Sequence, residues 1–382
     1  MSLYLDYNAS APISKAALDC MIDVYQNTVG NSDSRTHSFG DAARQVVENA
    51  RHQVADLIGV KPGEVIFTSG ATESNNMVLL GLQEYAESTG RKHIITSSIE
   101  HKSILEAASH LARHGFEVDF VDPDVTGTVR VEDVLALLRD DTLLVSLMHV
   151  NNETGAIQPV KELGEALSKT NTFFHVDATQ SLGKLVSEVK DLKYDMLSAS
   201  AHKIEGPQGI GALVLRKKRY KFPPVKPILF GGQQEKGIRP GTVPVALTAG
   251  FGAASQEAAA NADQNRQKTE ALRQILLDEL KGSGLEYEIN GDLETSIPST
   301  INLYFPNVNS EALMLAGKEV CGISNGSACN SNSYKPSHVL NAMGLPEERI
   351  RCSVRICWGA DTDPKAFQEG IKQLFQIAKE LQ

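Results

Sequence analysis

Between about residues 45 and 260 the chain repeats one pattern. Short β-branched or aromatic runs, each ending in small or polar residues (EVIFTSG, RKHIITSS, EVDFVD, TLLVSLMHV, TFFHVDA, YDMLSAS, IGALVLR), follow one another along it. Between most of them lie stretches of helical periodicity: ESNNMVLLGLQEYAES, KSILEAASHLARHG, VEDVLALLRD and VKELGEALSKT. Strands separated by helices pair in parallel through right-handed crossovers, so the pattern predicts a three-layer α/β/α domain on a mainly parallel sheet. A polar helical stretch follows, EAAANADQNRQKTEALRQILLDELKG, then strand-like STINLYF, helical SEALMLAGKEV, strand-like RCSVRICWG and helical DPKAFQEGIKQLFQIAKEL. Cores stop growing near about 250–300 residues, and 382 residues exceed that. We therefore expect a large domain over residues 15–260 and a small α+β domain over 261–382, completed by residues 1–14.

Charge and cysteine usage narrow the function class. A net charge of -10 repels polyanions and argues against direct contact with nucleic acid. Five scattered cysteines without a C-x-x-C pair fit neither a disulfide framework nor a structural zinc site, which points to a reducing compartment. The start, MSLYLDYNASAPIS, has no basic n-region or apolar h-region, and no apolar run is long enough to cross a bilayer. The expectation is a soluble cytoplasmic protein with no membrane partner.

In open α/β sheets ligands bind beyond the carboxyl ends of the strands, so the residues there carry the functional reading. In FHVDATQ an apolar strand delivers Asp177, with Gln180 a turn later; an acid there could equally cap the next helix. In SASAHKIEGPQGIGAL, Lys203 sits in an apolar, glycine-rich setting that lowers an amine's pKa and makes it nucleophilic, although a surface lysine on a turn would read the same. EVIFTSGATESNN turns from strand to helix on a glycine, offering free N–H groups beside Thr68, Ser69 and Thr72, either as a phosphate cradle or as an ordinary junction. SSIEHKSIL puts His101 at a fourth such junction. Together they form the set that pyridoxal phosphate needs. The lysine forms a Schiff base, the acid keeps the ring nitrogen protonated, and the imidazole stacks on the ring.

The motifs TSGATESNN, SSIEHKS, HVNNETG, HVDATQSLGK, SASAHKIEGPQGIGAL and IRPGT resemble, in order and over essentially the whole chain, the fold-type I class V aminotransferases. In particular they are similar to cysteine desulfurases of the NifS/IscS kind. The resemblance implies Lys203 as the cofactor-bearing lysine, Asp177 on the pyridine nitrogen, Gln180 near the phenolic oxygen, and His101 as ring stacker and acid/base. It implies Ala71, Thr72, Ser200 and His202 around the phosphate, with Thr242 reaching in from a second subunit. Asn152 is then expected at the cofactor or substrate carboxylate, and Arg355 on the substrate carboxylate, where a planar guanidinium makes paired hydrogen bonds.

One further cysteine is set apart. Free cysteines behave as small hydrophobes, yet Cys329 lies in ISNGSACNSNSYKPSHVL among Gly, Ser and Asn. From the residues alone it could be an unreactive loop thiol. The resemblance makes it the sulfur acceptor, on a segment whose Gly326, Ser327, Asn330 and Ser331 suit it to swing, and this long form resembles the NifS/IscS group, not the SufS-like one. Asn325 stands where many relatives have serine, and Ala201 where glycine is more usual. The chain stops at IAKELQ without the further tail that housekeeping relatives use to dock a scaffold. SNGSAC, SYKPSHVL, FGGQQEKGIRPGT and EINGD are together similar to the desulfurases of DNA phosphorothioation systems, which implies an iron–sulfur partner and no DNA contact.

The expected protein is a homodimeric, pyridoxal-phosphate-dependent cysteine desulfurase. It would convert L-cysteine to L-alanine through a persulfide on Cys329 and pass the sulfur to an acceptor in iron–sulfur cluster assembly, DNA phosphorothioation or tRNA thiolation. The alternatives are a selenocysteine/cysteine lyase or aminotransferase without persulfide transfer, and a non-catalytic sulfur-carrier subunit. GPQGIG lacks a G-x-G opening and precedes a strand, so it is not a dinucleotide loop. His110 and His114 have metal-pair spacing but no completing acid, and we expect no metal. Cys20, Cys321, Cys352 and Cys357 read as core.

Overall fold

The computed structural model describes residues 2–326 and 336–382. Its strands are β1 (Leu3–Tyr4), β2 (Val65–Thr68), β3 (His93–Ser97), β4 (Glu117–Val121), β5 (Thr142–Met148), β6 (Phe173–Asp177), β7 (Met196–Ser200), β8 (Gly211–Leu215), β9 (Glu288–Ile289), β10 (Thr300–Tyr304), β11 (Cys321–Gly322) and β12 (Ser353–Cys357). Seven form the central sheet in the order β2-β8-β7-β6-β5-β3-β4. Neighbours from β7 to β4 pair in parallel, whereas β8 runs antiparallel to both β7 and β2. The reason is the connection. Only Ala201–Ile210 joins β7 to β8, too short for a crossover, so the chain must turn back.

Both faces of the sheet are covered, as successive strand residues show. Val65 and Phe67, Ile95, Val145 and Val214 enter one apolar layer; Ile66, Ile94, Leu144 and Leu213 enter the other. A second core gathers Ile301, Leu303, Val354 and Ile356 from the antiparallel β12-β10-β9 sheet and Trp358 just beyond β12, with Phe367, Ile371, Leu374 and Phe375 from helix Pro364–Leu381. Leu5 joins this core, and β1 pairs in parallel with β11.

Helix Val245–Ser283 runs between the two cores, placing Phe251 and Ala254 in the first and Leu272, Leu276 and Leu280 in the second. It begins well before the polar stretch that reads as helical, because VALTAGFGAAS carries two glycines that propensity counts against a helix. Packing overrides propensity here: a Cβ on Gly252 would lie 2.7 Å from Ala50 Cα, so the glycine lets helix Ser38–Ile58 approach closely. Among the described residues no helix is long and apolar enough to cross a membrane.

Candidate active site

Because β2, β3, β5, β6 and β7 point the same way, their carboxyl ends meet at one edge. A cavity of about 460 Å³ opens there. Its walls include Ala71, Thr72, His101, Asn152, Asp177, Gln180, Ser200, His202, Lys203 and Arg355, ten of the twelve residues singled out in the sequence. Thr242 does not line it and is exposed. Cys329 lies outside the described residues.

Lys203 ends the single turn Ala201–Lys203 that follows β7. Its Nζ donates to the carbonyls of Asn8 and, at 2.7 Å, Ala9. Burial, reinforced by the neighbouring Lys184 ammonium and Arg355 guanidinium, brings the amine down to about 8 from the ordinary 10.5. Lys184 is itself pushed down to about 8 by burial and donates to Gln180 Oε1 at 3.1 Å and Asn8 Oδ1 at 3.3 Å. The lysine therefore fixes the Gln180 amide, whose Nε2 donates to Asn8 O at 3.0 Å.

Asp177 closes β6, in register with Met148 and Ser198. Thr179 donates to its Oδ1 through both N, at 2.9 Å, and Oγ1; Asn75 Nδ2 donates to its Oδ2 at 2.8 Å. His101 is the N-cap of helix Lys102–Ala112, and its Nδ1 accepts from Ser103 N at 3.2 Å. An amide N–H can only donate, so Nδ1 is the unprotonated nitrogen and the neutral ring carries its proton on Nε2. Burial and the nearby Lys203 hold this imidazole below its usual range, against the pull of Asp177. Just ahead of it Glu100, fully buried and raised to about 8 by that burial, accepts from Ser97 Oγ at 2.6 Å and Met148 N at 2.9 Å, tying the ends of β3 and β5 together.

The opposite wall is built for an anion. Thr68 and Ser200 both pair with Gly211, and a Cβ on Gly211 would lie 2.6 Å from Gly70 Cα, so the glycine lets the 69–72 turn sit against β7 and β8. Gly70, at φ +154°, then starts helix Ala71–Gly81, whose N-terminus carries no side-chain cap. Ser200 and His202 complete the wall. Burial brings His202 down to about 4, so its ring is neutral and available as a hydrogen-bond donor.

Arg355 occupies the middle of β12. Its Nη2 binds Asp6 Oδ1 and its Nη1 donates to Asn152 O at 2.9 Å, while Nε is buried with no partner. The guanidinium expected to meet a carboxylate thus already holds one carboxylate of the chain itself. Next to it, Cys357 is buried as the sequence suggested, with Sγ accepting from Asn8 N at 3.2 Å; Cys321 and Cys352 are buried and Cys20 half-buried. His110, in the last turn of helix Lys102–Ala112, and His114, in the turn beyond it, stack at 4.2 Å and are exposed, so the two do not share a helix face.

Four contributors escape a reading by motif. Asn8 and Ala9 reach Lys203 from the N-terminal segment, and Asn75 and Ser103 stand behind Asp177 and His101. Asn75 and Ser103 lie inside quoted motifs, so the signal was present. No local rule separates them from helix surface.

The donor set fits pyridoxal phosphate. An uncapped helix N-terminus with hydroxyl and imidazole donors suits a phosphate. The cavity also presents an amine of lowered pKa, a carboxylate held in one orientation and a neutral imidazole. An amine must be neutral to react with an aldehyde, so uptake of pyridoxal phosphate by the cofactor-stripped chain should accelerate with a midpoint near pH 8, below the usual lysine range. Stopped-flow absorbance across pH 6–10 checks this.

Comparisons with known proteins agree. The aminotransferase class-V family model matches residues 3–362. Cysteine desulfurase IscS of Vibrio vulnificus is 40% identical over 377 residues, covering 98% of this chain and 92% of its own. Among solved structures, a NifS-like protein superposes with a TM-score of 0.91 at 35% identity over the whole of both chains. DndA from Streptomyces lividans gives 0.81 at 45% identity, covering 93% of this chain and 99% of that one. A cradle, a carboxylate and a lysine meeting at one sheet edge, matched along nearly the full length, place this chain in the aminotransferase class-V family.

Proposed function

We propose that the protein is a pyridoxal-phosphate-dependent cysteine desulfurase, which takes the sulfur of L-cysteine onto the Cys329 thiol, releases L-alanine and hands the sulfur to an acceptor protein. One observation carries this reading: the poorly solvated Lys203 amine shares a cavity with an anion cradle, the Asp177 carboxylate, the His101 imidazole and the Arg355 guanidinium.

Ala71, Thr72, Ser200 and His202 would hold the phosphate, Asp177 the ring nitrogen, Gln180 the phenolic oxygen and His101 the ring face, with Lys203 as the covalent attachment. When bound, the cofactor supplies an electron sink for charge developing on the substrate. Arg355 and Asn152 orient the substrate carboxylate, and the Asp6 contact sets the plane of the guanidinium. Lys203 Nζ, once free, takes the α-proton, and His101 Nε2–H is the donor for a leaving or returning proton. The Cys329 sulfur then forms a bond to the substrate sulfur as the substrate C–S bond breaks, its electron pair passing to carbon, which is finally protonated.

The exposed Thr242 would serve the phosphate site of a second copy, making the working unit a homodimer. For the acceptor we favour an iron–sulfur protein of a DNA phosphorothioation system, supported by the likeness to DndA at 45% identity; cluster assembly and tRNA thiolation are the other destinations. Incubation with L-cysteine and a reductant should give alanine and sulfide in equal amounts. Pyruvate with ammonia would indicate a lyase, and a requirement for a 2-oxo acid an aminotransferase. Cys329→Ser should keep the visible colour of bound cofactor and lose sulfide release; turnover at the parental rate in that variant removes the persulfide step.

A further inference from the structure

The amide of Asn75 stands behind two of these groups at once. It lies on helix Ala71–Gly81, fully buried, with Nδ2 2.8 Å from Asp177 Oδ2 and 2.8 Å from Ser103 Oγ. The amide cannot be turned over, since that would set Oδ1 against the carboxylate oxygen. Ser103 Oγ, having accepted one proton, has its own to give, and His101 Nδ1 lies 2.9 Å away. The remaining atom, Asn75 Oδ1, is buried with no partner. An unpaired buried carbonyl is destabilising, because it has given up water for nothing. A leucine of similar shape would avoid that cost, so what the amide contributes lies in its two N–H groups.

We propose that Asn75 is a positioning residue that joins Asp177 and His101 into one unit, the carboxylate directly and the imidazole through Ser103. Either partner can then turn only by giving up a hydrogen bond of this link. Whatever ring is bound meets its nitrogen partner and its face partner in a fixed mutual orientation. The inference deepens the cofactor reading above and rests on it for the identity of the ring.

The test uses the full-length chain and pyridoxal phosphate itself. In Asn75→Ala the dissociation constant for pyridoxal phosphate should rise about tenfold or more. In the same variant the ring ¹⁵N resonance of His101 Nδ1, measured without cofactor and assigned by loss in His101→Gln, should move. Ser103→Ala should move that resonance too, and the double variant should match Ser103→Ala, because the link is serial. The proposal is overturned if Asn75→Ala changes neither quantity, or if the two substitutions shift the resonance independently. Should Asn75→Ala not fold, an unmoved resonance in Ser103→Ala overturns it alone. A parental chain that binds no pyridoxal phosphate would sink the cofactor reading and leave the cofactor-free resonance test standing.

Discussion

Lys203→Met should leave a folded protein whose turnover of L-cysteine falls by roughly 10³-fold or more, since one amine serves as both attachment point and base. The absorbance of the imine to Lys203, which borohydride would trap on that side chain, should vanish with it. The same substitution has a thermodynamic signature. The amine is held at about 8 in the folded chain, below its unfolded value, so the cofactor-free protein gains stability as pH rises from about 8 towards the ordinary lysine range. Lys203→Met should remove its share of that rise, leaving the share of the buried Lys184, and be the more stable of the two at pH 7. Denaturant melts of the cofactor-free forms at pH 7 and pH 10 measure it; a variant that rises as steeply as the parent would show that burial of Lys203 is not what lowers its pKa.

The second large effect is on stability, from a site outside the cavity. Glu235 takes a bidentate grip on Arg51, Oε1 to Nη2 at 2.7 Å and Oε2 to Nη1 at 2.8 Å, and also accepts from Phe67 N at 2.8 Å. Both side chains are under 10% exposed, at 8% and 3%, and the guanidinium lies 4.7 Å from the centre of the Phe67 ring. Glu235 holds this position at φ +46°, in the left-handed region. Glu235→Ala leaves the buried Arg51 with the half-exposed Glu48 as its remaining acidic partner and an amide of β2 unpaired, and should cost about 3–5 kcal/mol. Replacing the pair together, Arg51→Met with Glu235→Leu, should cost much less. Urea midpoints decide, and a single variant within about 1 kcal/mol of the parent would mean water replaces the carboxylate.

The central sheet is legible because each strand except the partly exposed edge strand β4 is buried on both faces and reads as a largely apolar run ending in a chemically distinct residue: Asp177, Ser200, or Thr68 before Gly70. Four such ends were enough to suggest the cofactor, and the order of the motifs to suggest the family. Hidden from the sequence were relations spanning long separations. Nothing near Asn8 says that its carbonyl meets Lys203, and nothing in ESNN says which asparagine turns inward. The return of β8 against β7 follows from loop length more than from strand composition. Helices Lys15–Asn27 and Ser38–Ile58 lie ahead of the strand-rich stretch, where no alternation with strands marks them.

The N-terminal segment has a consequence for biosynthesis. Leu5 is buried with Ile356 and Trp358, Cys357 N donates to Leu5 O at 2.9 Å, and Asn8 and Ala9 cup the Lys203 amine. This segment therefore cannot take its place until strand β12 has been made, far later in the chain. Until then the floor beneath the reactive lysine is missing, so vitamin B6 loading should wait until synthesis has passed β12, and a nascent chain stalled ahead of it should stay colourless.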